Sequence, residues 1–428
     1  MNDSPPRHSD AMKLTTRLFA VALATALQAC ATAPVSAPRP AAIAAPSEAR
    51  APVTILISID GFKPDYLTRG VTPNLNALAA SGISASMRPS FPSVTFPNHW
   101  TLVTGLRPDR HGVVGNRMED VAHPGMTFTM QSEEPFWWTQ AEPIWITAER
   151  AGIRTATMFW PGANISFDGQ RPSDWQQYGH EVSNRQRVDA VIDWLRRPLA
   201  TRPQFLTLYF DTVDSAGHSF GPDSPKTTEV VADADAAIGR LRAELAALGQ
   251  PANLVIVADH GMAATGPARV IRFDQIAAPD SFRFVSGGPY AGIEPMPGKE
   301  AALAAAIALP NAHMQCWPKA QIPTALHYGK HPRVPTYICL AESGWLILDK
   351  APAADRPIRD GGAHGYDPAV PDMAALFIAS GPAIRAGGTL PRFDNVDVAP
   401  MLRSLLKLPA GPDLDGDDRP FRGALGPR

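Results

Sequence analysis

Several strongly apolar segments of this chain are followed closely by an aspartate. Near-continuous apolar runs at 53–59, 205–210 and 254–258 precede Asp60, Asp214 and Asp259. Runs of this kind are typical of strands buried on both faces of a parallel sheet. Helical patterns at 72–80, 185–196 and 227–248 alternate with them. This alternation predicts an α/β fold with a mostly parallel central sheet and helices on both of its faces.

Carboxylates and imidazoles are grouped where these strands are predicted to end. In an open α/β sheet, ligands bind beyond the carboxyl ends of the strands. The segment Asp214-Ser-Ala-Gly-His218 and the pair Asp259-His260 each bring both side-chain types to that edge, and His364 follows later in the chain. Such oxygen and nitrogen donors bind divalent metals. The sequence therefore predicts a metal-dependent hydrolase that acts on phosphate esters.

The segment 263–360 interrupts the alternation with short strand-like runs and many prolines. We interpret it as a smaller inserted region that packs against the main sheet and contributes to substrate access. It lies within a catalytic domain predicted at 53–405, and a C-terminal tail is predicted at 406–428. No internal repeat is visible.

Residues 1–30 resemble a lipoprotein-type signal peptide. Lys13 and Arg17 precede an apolar run at 18–27 that is too short to span a bilayer. Leu27-Gln-Ala-Cys30 resembles a bacterial lipobox, in which Cys30 would be acylated. The alternative is ordinary cleavage near Cys30 and a soluble periplasmic product. We expect export to the periplasm, with the membrane contacted only through a lipid anchor at Cys30.

An Ala/Pro-rich segment at 31–52 has no core-forming pattern and is predicted to be a tether between this anchor and the folded domain. Cys316 and Cys339 are the cysteines of the mature domain. An oxidising compartment favours a disulfide between them, although sequence alone also permits two free thiols.

The formal net charge of −2 gives no excess of positive charge that would bind polymeric nucleic acid, so DNA or RNA is not an expected ligand. A small-molecule partner is expected instead. The oligomeric state stays open.

Six sequence blocks together resemble the nucleotide pyrophosphatase/phosphodiesterase family (type I phosphodiesterases) of the alkaline phosphatase superfamily. The resemblance covers about 53–405 and, with the lipobox, suggests a bacterial member. The blocks occur in the family's order: Ser58-Ile-Asp60-Gly-Phe62, Phe91-Pro-Ser-Val-Thr95-Phe-Pro-Asn-His99, Thr104-Gly-Leu-Arg-Pro-Asp-Arg-His-Gly112, Asp214-Ser-Ala-Gly-His-Ser-Phe-Gly-Pro222, Ala258-Asp-His-Gly-Met262 and Gly362-Ala-His-Gly-Tyr366.

The resemblance implies an alkaline-phosphatase-like fold and two zinc ions. One ion is expected on Asp214, His218 and His364. The other is expected on Asp60, Asp259, His260 and the Thr95 hydroxyl. A mixed nitrogen and oxygen donor set suits zinc better than magnesium or calcium, although magnesium or manganese is left open.

Thr95 is the expected nucleophile. The helical pattern that follows it predicts that Thr95 is the N-cap of a helix, where free amides favour an alkoxide and an incoming phosphate. The alternative is that Thr95 only caps the helix. Asn116 matches the family's asparagine that donates a hydrogen bond to a phosphate oxygen; its alternative role is in turn geometry after Gly115.

Phe96 and Tyr209 resemble the family's pair of aromatic residues that hold a nucleobase, and Tyr178 is a third candidate. The alternative is that these rings belong to the core. His99, His111 and Asp211 are expected to be structural, with His99 and His111 binding backbone groups. The alternative for Asp211 is that it orients a metal-bound imidazole.

The resemblance implies hydrolysis of phosphodiester or pyrophosphate bonds in nucleotides, with release of a nucleoside 5′-monophosphate through a covalent threonine intermediate. Activity on lipid or choline headgroups is the first alternative on the same scaffold. A phosphomonoesterase is another alternative. It would need an arginine to bind the monoester dianion, and because none lies next to Thr95 in the sequence, that arginine would have to come from elsewhere in the fold, such as Arg107, Arg110 or Arg117. A sulfatase is disfavoured because the nucleophile block lacks the cysteine or serine setting of those enzymes.

Overall fold

The computed structural model describes residues 49–411 and 413–426. The predicted signal peptide at 1–30, its Cys30, and the tether as far as residue 48 lie outside the described residues. Within the described part, no helix is both long enough and apolar enough to cross a membrane.

Nineteen strands occur in the described chain, most of them short: β1 (Val53–Ile59), β2 (Ile83–Arg88), β3 (Met118–Glu119), β4 (Thr127–Phe128), β5 (Thr155–Met158), β6 (Asp174–Trp175), β7 (Phe205–Phe210), β8 (Ala252–Val257), β9 (Ala263–Thr265), β10 (Val270–Arg272), β11 (Phe282–Ser286), β12 (Tyr290–Pro295), β13 (Met314–Pro318), β14 (Tyr337–Ala341), β15 (Leu346–Leu348), β16 (Gly361–Ala363), β17 (Ala375–Ser380), β18 (Gly388–Thr389) and β19 (Phe393–Asp394). The same residues contain nine α-helices: α1 (Pro73–Ser81), α2 (Thr95–Thr104), α3 (Pro108–His111), α4 (Ile144–Arg150), α5 (Asn184–Leu195), α6 (Thr212–Phe220), α7 (Pro225–Ala247), α8 (Glu300–Ile307) and α9 (Val398–Leu405).

The central sheet has the strand order β18-β2-β17-β8-β1-β7-β5-β6, and β19 also pairs with β2. Strand β17 runs antiparallel to both of its neighbours, and the other pairs are parallel. The predicted mostly parallel α/β sheet is therefore confirmed.

Helices cover both faces of this sheet. Every residue of β1, β7 and β17 is buried, and successive residues of a strand point to opposite faces, so neither face is open to solvent. Helices α1, α5 and α6 all contact α7, while α2 and α4 contact α9. The capping box of Ser183 and Gln186 starts α5, and Ser224 caps α7.

The predicted inserted region, 263–360, contains most of a second hydrophobic cluster. Its antiparallel sheet has the order β11-β12-β14-β13. Cys316 and Cys339 lie directly opposite each other on β13 and β14 and form a disulfide, as predicted. The region is joined to the rest of the chain through β9, which pairs with β16.

Residues of the predicted tail, 406–428, contribute to the core where the structure describes them. Phe421 is fully buried and its ring packs against Phe377 of β17 and Phe393 of β19. The backbone N–H of Asp415 donates to the carbonyl of Gly105, just after α2.

Candidate active site

The carboxyl ends of three neighbouring strands bring the predicted ligands together. In register, Ile59 of β1 lies beside Phe210 of β7, and Ser58 lies beside Val257 of β8. Asp60 and Asp259 therefore leave the sheet at the same edge, and α6 begins there directly after β7. Because parallel strands end at one edge, residues far apart in sequence converge on one site.

Asp214, His218 and His364 form the first group of ligand candidates. Asp214 and His218 are one turn apart on α6, with 3.5 Å between Oδ2 and Nε2. His364, which follows β16, places its Nε2 3.4 Å from Asp214 Oδ1 and 3.0 Å from His218 Nε2. The His218 Nδ1 is paired with the Gly362 carbonyl and the His364 Nδ1 with the Ser93 carbonyl. In both rings Nε2 is the nitrogen that faces the group.

Asp60, Asp259, His260 and Thr95 form the second group. The His260 Nε2 lies 2.9 Å from Asp259 Oδ2, 3.5 Å from Asp60 Oδ1 and 3.3 Å from the Thr95 hydroxyl. The opposite nitrogen of His260 is paired with the Gly261 carbonyl. All four side chains are buried.

The two groups form one continuous cluster. The rings of His260 and His364 stack, with 3.5 Å between their centroids. By donor-atom distance alone, Asp214, His260 and His364 lie within 4.8 Å of one another, as do Asp60, His99 and Asp259. How the ligands divide between two ions therefore stays the prediction made from the sequence.

His99 and His111 have the backbone contacts expected of structural residues. The His99 ring pairs with the Thr95 carbonyl through Nδ1 and with the Ser58 hydroxyl through Nε2, so neither nitrogen is left for a metal. His111 accepts from the backbone N–H of Val113, and burial lowers its pKa to about 3. It is thus neutral at physiological pH.

Burial and mutual repulsion dominate the electrostatics of this cluster. Burial, reinforced by the Asp259 and Asp214 carboxylates, raises the pKa of Asp60 well above its usual value. Burial also raises the pKa of Asp214. For Asp259, burial acts upward but the adjacent His260 and His99 outweigh it and hold the pKa well below the usual value. Without a cation, such closely spaced carboxylates cannot all be charged at low cost.

The donor set fits divalent metal ions. One oxygen of each carboxylate is buried without a hydrogen-bond partner in the described chain: Asp60 Oδ1, Asp214 Oδ1 and Asp259 Oδ2. Buried polar atoms are normally satisfied, so such orphaned oxygens need an explanation. A cation between carboxylates and imidazoles would satisfy all three, and the mixed oxygen and nitrogen donors suit zinc.

Thr95 is the first residue of α2, and Val94 is the N-cap, so the N-cap prediction for Thr95 was wrong by one position. The Thr95 hydroxyl lies 3.3 Å from His260 Nε2, within the second group of ligand candidates. The side chain is buried at the inner end of a cavity.

Asn116 lies beside Thr95 through a backbone contact. Its Oδ1 accepts from the N–H of Phe96, the residue after Thr95, at 2.9 Å. Since that contact uses the oxygen, the amide NH₂ stays available as a donor. Buried Arg333 of the inserted region holds the same loop, because it donates to the Gly112 carbonyl and pairs with Asp120.

A cavity of about 380 Å³ leads outward from Asp60, Thr95 and Asp214. Six aromatic residues contribute to its walls alongside polar ones: Phe96, Trp138, Phe159, Trp160, Tyr178 and Tyr209. Tyr178 is 48% exposed, whereas Tyr209 is buried and its hydroxyl donates to Asp60 Oδ2 at 2.7 Å. Tyr178 thus has the larger accessible surface, although the sequence made it only the third candidate for holding a nucleobase.

Asp211 contacts three residues at the cavity mouth instead of a ligand imidazole. Its Oδ2 accepts from the Tyr178 hydroxyl at 2.6 Å and lies 2.7 Å from the His180 Nδ1, while Oδ1 accepts from buried Arg187. The alternative in which Asp211 orients a metal-bound imidazole has no support in these contacts. His180 and Arg187 were missed because no sequence pattern marks them, and only the fold brings them to Asp211.

No lysine or arginine occurs among the described residues that line the cavity. Two of the arginines considered for a phosphomonoesterase are paired elsewhere, Arg107 with Asp394 and Arg110 with Asp413 and Asp415. Arg117 is exposed and does not line the cavity. A phosphate dianion would therefore find no bidentate cation here.

Comparison with known proteins agrees with this geometry. Residues 54–367 match the family model "type I phosphodiesterase / nucleotide pyrophosphatase". An uncharacterised pyrophosphatase/phosphodiesterase of Schizosaccharomyces pombe is 36% identical over 87% of this chain and 79% of its own length. The bis(5′-adenosyl)-triphosphatase enpp4 of Xenopus laevis is 34% identical over 86% of this chain and 80% of its own length.

Solved structures are also similar. Human ectonucleotide pyrophosphatase/phosphodiesterase 5 superposes with a TM-score of 0.83 at 31% identity, covering 88% of this chain and all of that chain. Its murine counterpart, as an inactive variant in complex with AMP, gives the same TM-score, identity and coverage. The fold is thus the predicted alkaline-phosphatase-like one. By sequence match and by structure, this chain belongs to the type I phosphodiesterase/nucleotide pyrophosphatase family.

Proposed function

We propose that this protein is a zinc-dependent enzyme that hydrolyses phosphodiester or pyrophosphate bonds of nucleotides and releases a nucleoside 5′-monophosphate. One observation carries the proposal: the buried Thr95 hydroxyl faces a cluster of three aspartates and three histidines at the inner end of an aromatic cavity. Nucleophile, ligand set and base-sized pocket thereby meet at one point.

Two zinc ions fit this cluster, one on Asp214, His218 and His364, the other on Asp60, Asp259, His260 and Thr95. When bound, they would supply Lewis-acid stabilisation of phosphoryl charge and lower the pKa of a coordinated hydroxyl. The orphaned carboxylate oxygens support their presence.

Thr95 is the nucleophile in this proposal. Its Oγ1 loses its proton and forms a bond to phosphorus while the bond to the leaving oxygen on the opposite side breaks. The leaving oxygen departs with that electron pair and takes up a proton, which leaves a nucleotidyl-threonine. A water molecule then gives up a proton and bonds to phosphorus, the bond to Thr95 breaks, and the Thr95 oxygen takes up a proton as the nucleoside 5′-monophosphate is released. His260 Nε2 lies 3.3 Å from Oγ1, so both atoms would be within reach of the same ion.

Asn116 stabilises the phosphoryl group in both steps. The contact with the Phe96 N–H fixes the side-chain amide, so its NH₂ is already oriented before substrate binds. A donor fixed in this way needs no reorganisation as charge develops, which is why such groups contribute strongly to catalysis.

Nucleotides fit the cavity for two reasons. Phe96 and Tyr178 present aromatic surface, and base stacking on such rings contributes about 1–3 kcal/mol. The absence of lysine and arginine from the described lining favours a diester or pyrophosphate over a monoester dianion. The enpp4 relative, named for a dinucleoside triphosphate, and the AMP complex of the murine relative support the same substrate class.

The first test compares the nitrophenyl esters of three compounds: thymidine 5′-monophosphate, phosphate and phosphorylcholine. We expect the nucleotide diester to be turned over fastest, with activity lost on chelation and restored by zinc. Faster turnover of phosphorylcholine would favour the headgroup alternative. Faster turnover of the monoester would contradict the diester assignment, and restoration by magnesium alone would contradict the assignment of zinc.

Replacement of the nucleophile gives the second test. Thr95→Ala should lower kcat on the thymidine diester by about 10³-fold or more, since the covalent route is lost. Thr95→Ser keeps the hydroxyl and should retain most activity. The two variants are compared by steady-state kinetics, with zinc content measured to separate lost chemistry from lost metal. Equal activity of the alanine and serine variants would refute the role of the hydroxyl.

Asn116 provides a third test. Asn116→Ala should lower kcat by about 10²- to 10³-fold with little change in KM, because the donor acts on developing charge. Asn116→Asp keeps an oxygen for the Phe96 N–H but has no NH₂ to donate, and it should be at least as impaired. If Asn116→Asp were fully active, the residue would serve only loop geometry.

Export and lipid anchoring remain a proposal carried by the lipobox-like segment ending at Cys30. In a bacterial host, the full chain should incorporate labelled fatty acid and sediment with membranes. Cys30→Ser should abolish the label and shift the protein to the soluble fraction while the specific activity stays unchanged. Unlabelled parent protein in the periplasmic fraction would indicate ordinary signal cleavage instead.

A further inference from the structure

A second groove lies beside the reaction cavity. It lies between α5, α6 and α7 and has a volume of about 770 Å³. His180 and Ser215 line both spaces, so the two are adjacent. Ser215 follows Asp214 in the first turn of α6, which means that the groove begins one residue from a metal-ligand candidate. We refer to this space as the α5–α7 groove.

The α5–α7 groove differs in chemistry from the reaction cavity. The cavity has no lysine or arginine among its described lining residues, whereas the lining of the groove includes two arginines, Arg185 and Arg240, and one carboxylate, Asp233. Arg240 is held by the Asp189 carboxylate, but Arg185 has a side chain 75% exposed and only a loose contact of 4.0 Å to Asp189. Arg185 is thus a cation that can turn toward a bound anion.

The groove also has an aromatic surface. The Phe220 side chain at the end of α6 is 46% exposed, and Lys226 lies over its ring at 4.6 Å from the centroid. Exposed aromatic rings in a concave site are suited to stacking on a planar group. Hydroxyls of Ser183 and Ser219 add uncharged hydrogen-bonding groups to the same walls.

We infer that the α5–α7 groove binds the leaving portion of the substrate: phosphates beyond the scissile bond near Arg185, and a second nucleoside on Phe220. This inference rests on the proposed function. In-line displacement requires the leaving group to depart on the side opposite Thr95, so a long leaving group must extend out of the aromatic cavity. The groove is the adjacent space whose lining includes arginines that could bind such a polyphosphate. Dinucleoside polyphosphates are the substrate class that would use all of it.

Substrates that differ only beyond the scissile bond test this subsite. Arg185→Ala should raise KM about fivefold for diadenosine tetraphosphate and for ATP, and leave the nitrophenyl thymidine diester unchanged. Arg185→Lys should restore most of the loss because the charge returns. Arg196→Ala, at the opposite end of α5, is the matched control and should change none of the three.

Phe220→Ala separates phosphate binding from base stacking. It should raise KM about tenfold for diadenosine tetraphosphate but not for ATP, whose leaving group has no nucleoside. The inference would be overturned if Arg185→Ala affected the nitrophenyl diester as much as the two polyphosphates, or if Phe220→Ala affected ATP as much as diadenosine tetraphosphate. It would also be overturned if neither variant affected any substrate.

Failure of the proposed function can be distinguished from failure of this inference. If the parent protein hydrolysed none of these compounds, the subsite would be decided by equilibrium binding of AMP and a non-hydrolysable dinucleoside tetraphosphate. Tighter binding of the longer ligand that Arg185→Ala and Phe220→Ala both weaken would support the groove. Equal affinity for the two ligands would reject it.

Discussion

The buried carboxylates at one edge of the central sheet impose the main constraint on this structure. Asp60 and Asp259 are buried after neighbouring strands, and Asp214 is partly buried nearby on α6. Each has an oxygen that accepts no hydrogen bond in the described chain and faces an imidazole nitrogen of the cluster. Charges held so close together in a region of low dielectric repel one another strongly, as the raised pKa of Asp60 reflects. Bound cations turn this repulsion into attraction, so the folded site is arranged to hold metal.

A rigid scaffold keeps this arrangement in place. The strands β1, β7 and β8 are apolar and almost wholly buried, and the parallel register fixes where each ends. Side chains outside the ligand set then hold the site: Tyr209 donates to Asp60, and His99 bridges Ser58 and the Thr95 carbonyl. Catalytic groups positioned by rigid elements in this way do not have to be ordered again when substrate binds.

The inserted region contributes to the site indirectly. Arg333 is buried and donates to the carbonyls of Gly112, Phe136 and Trp137 while pairing with Asp120. These contacts link the loop of Asn116 to the wall that carries Trp138. Since a buried charge without its partners is costly, this arrangement fixes the position of the Asn116 loop relative to the aromatic wall.

The sequence by itself determined the α/β class and pointed to the Asp, His and Thr residues that meet at the candidate site, because apolar periodicity and short motifs are local signals. The order of strands, the antiparallel direction of β17 and the pairing of Cys316 with Cys339 were decided by tertiary packing. So were the contacts of Asp211 with His180 and Arg187, and the greater exposure of Tyr178 over Tyr209. Contacts between residues distant in sequence depend on which elements pack together. A local sequence pattern does not specify how close two such residues lie in space.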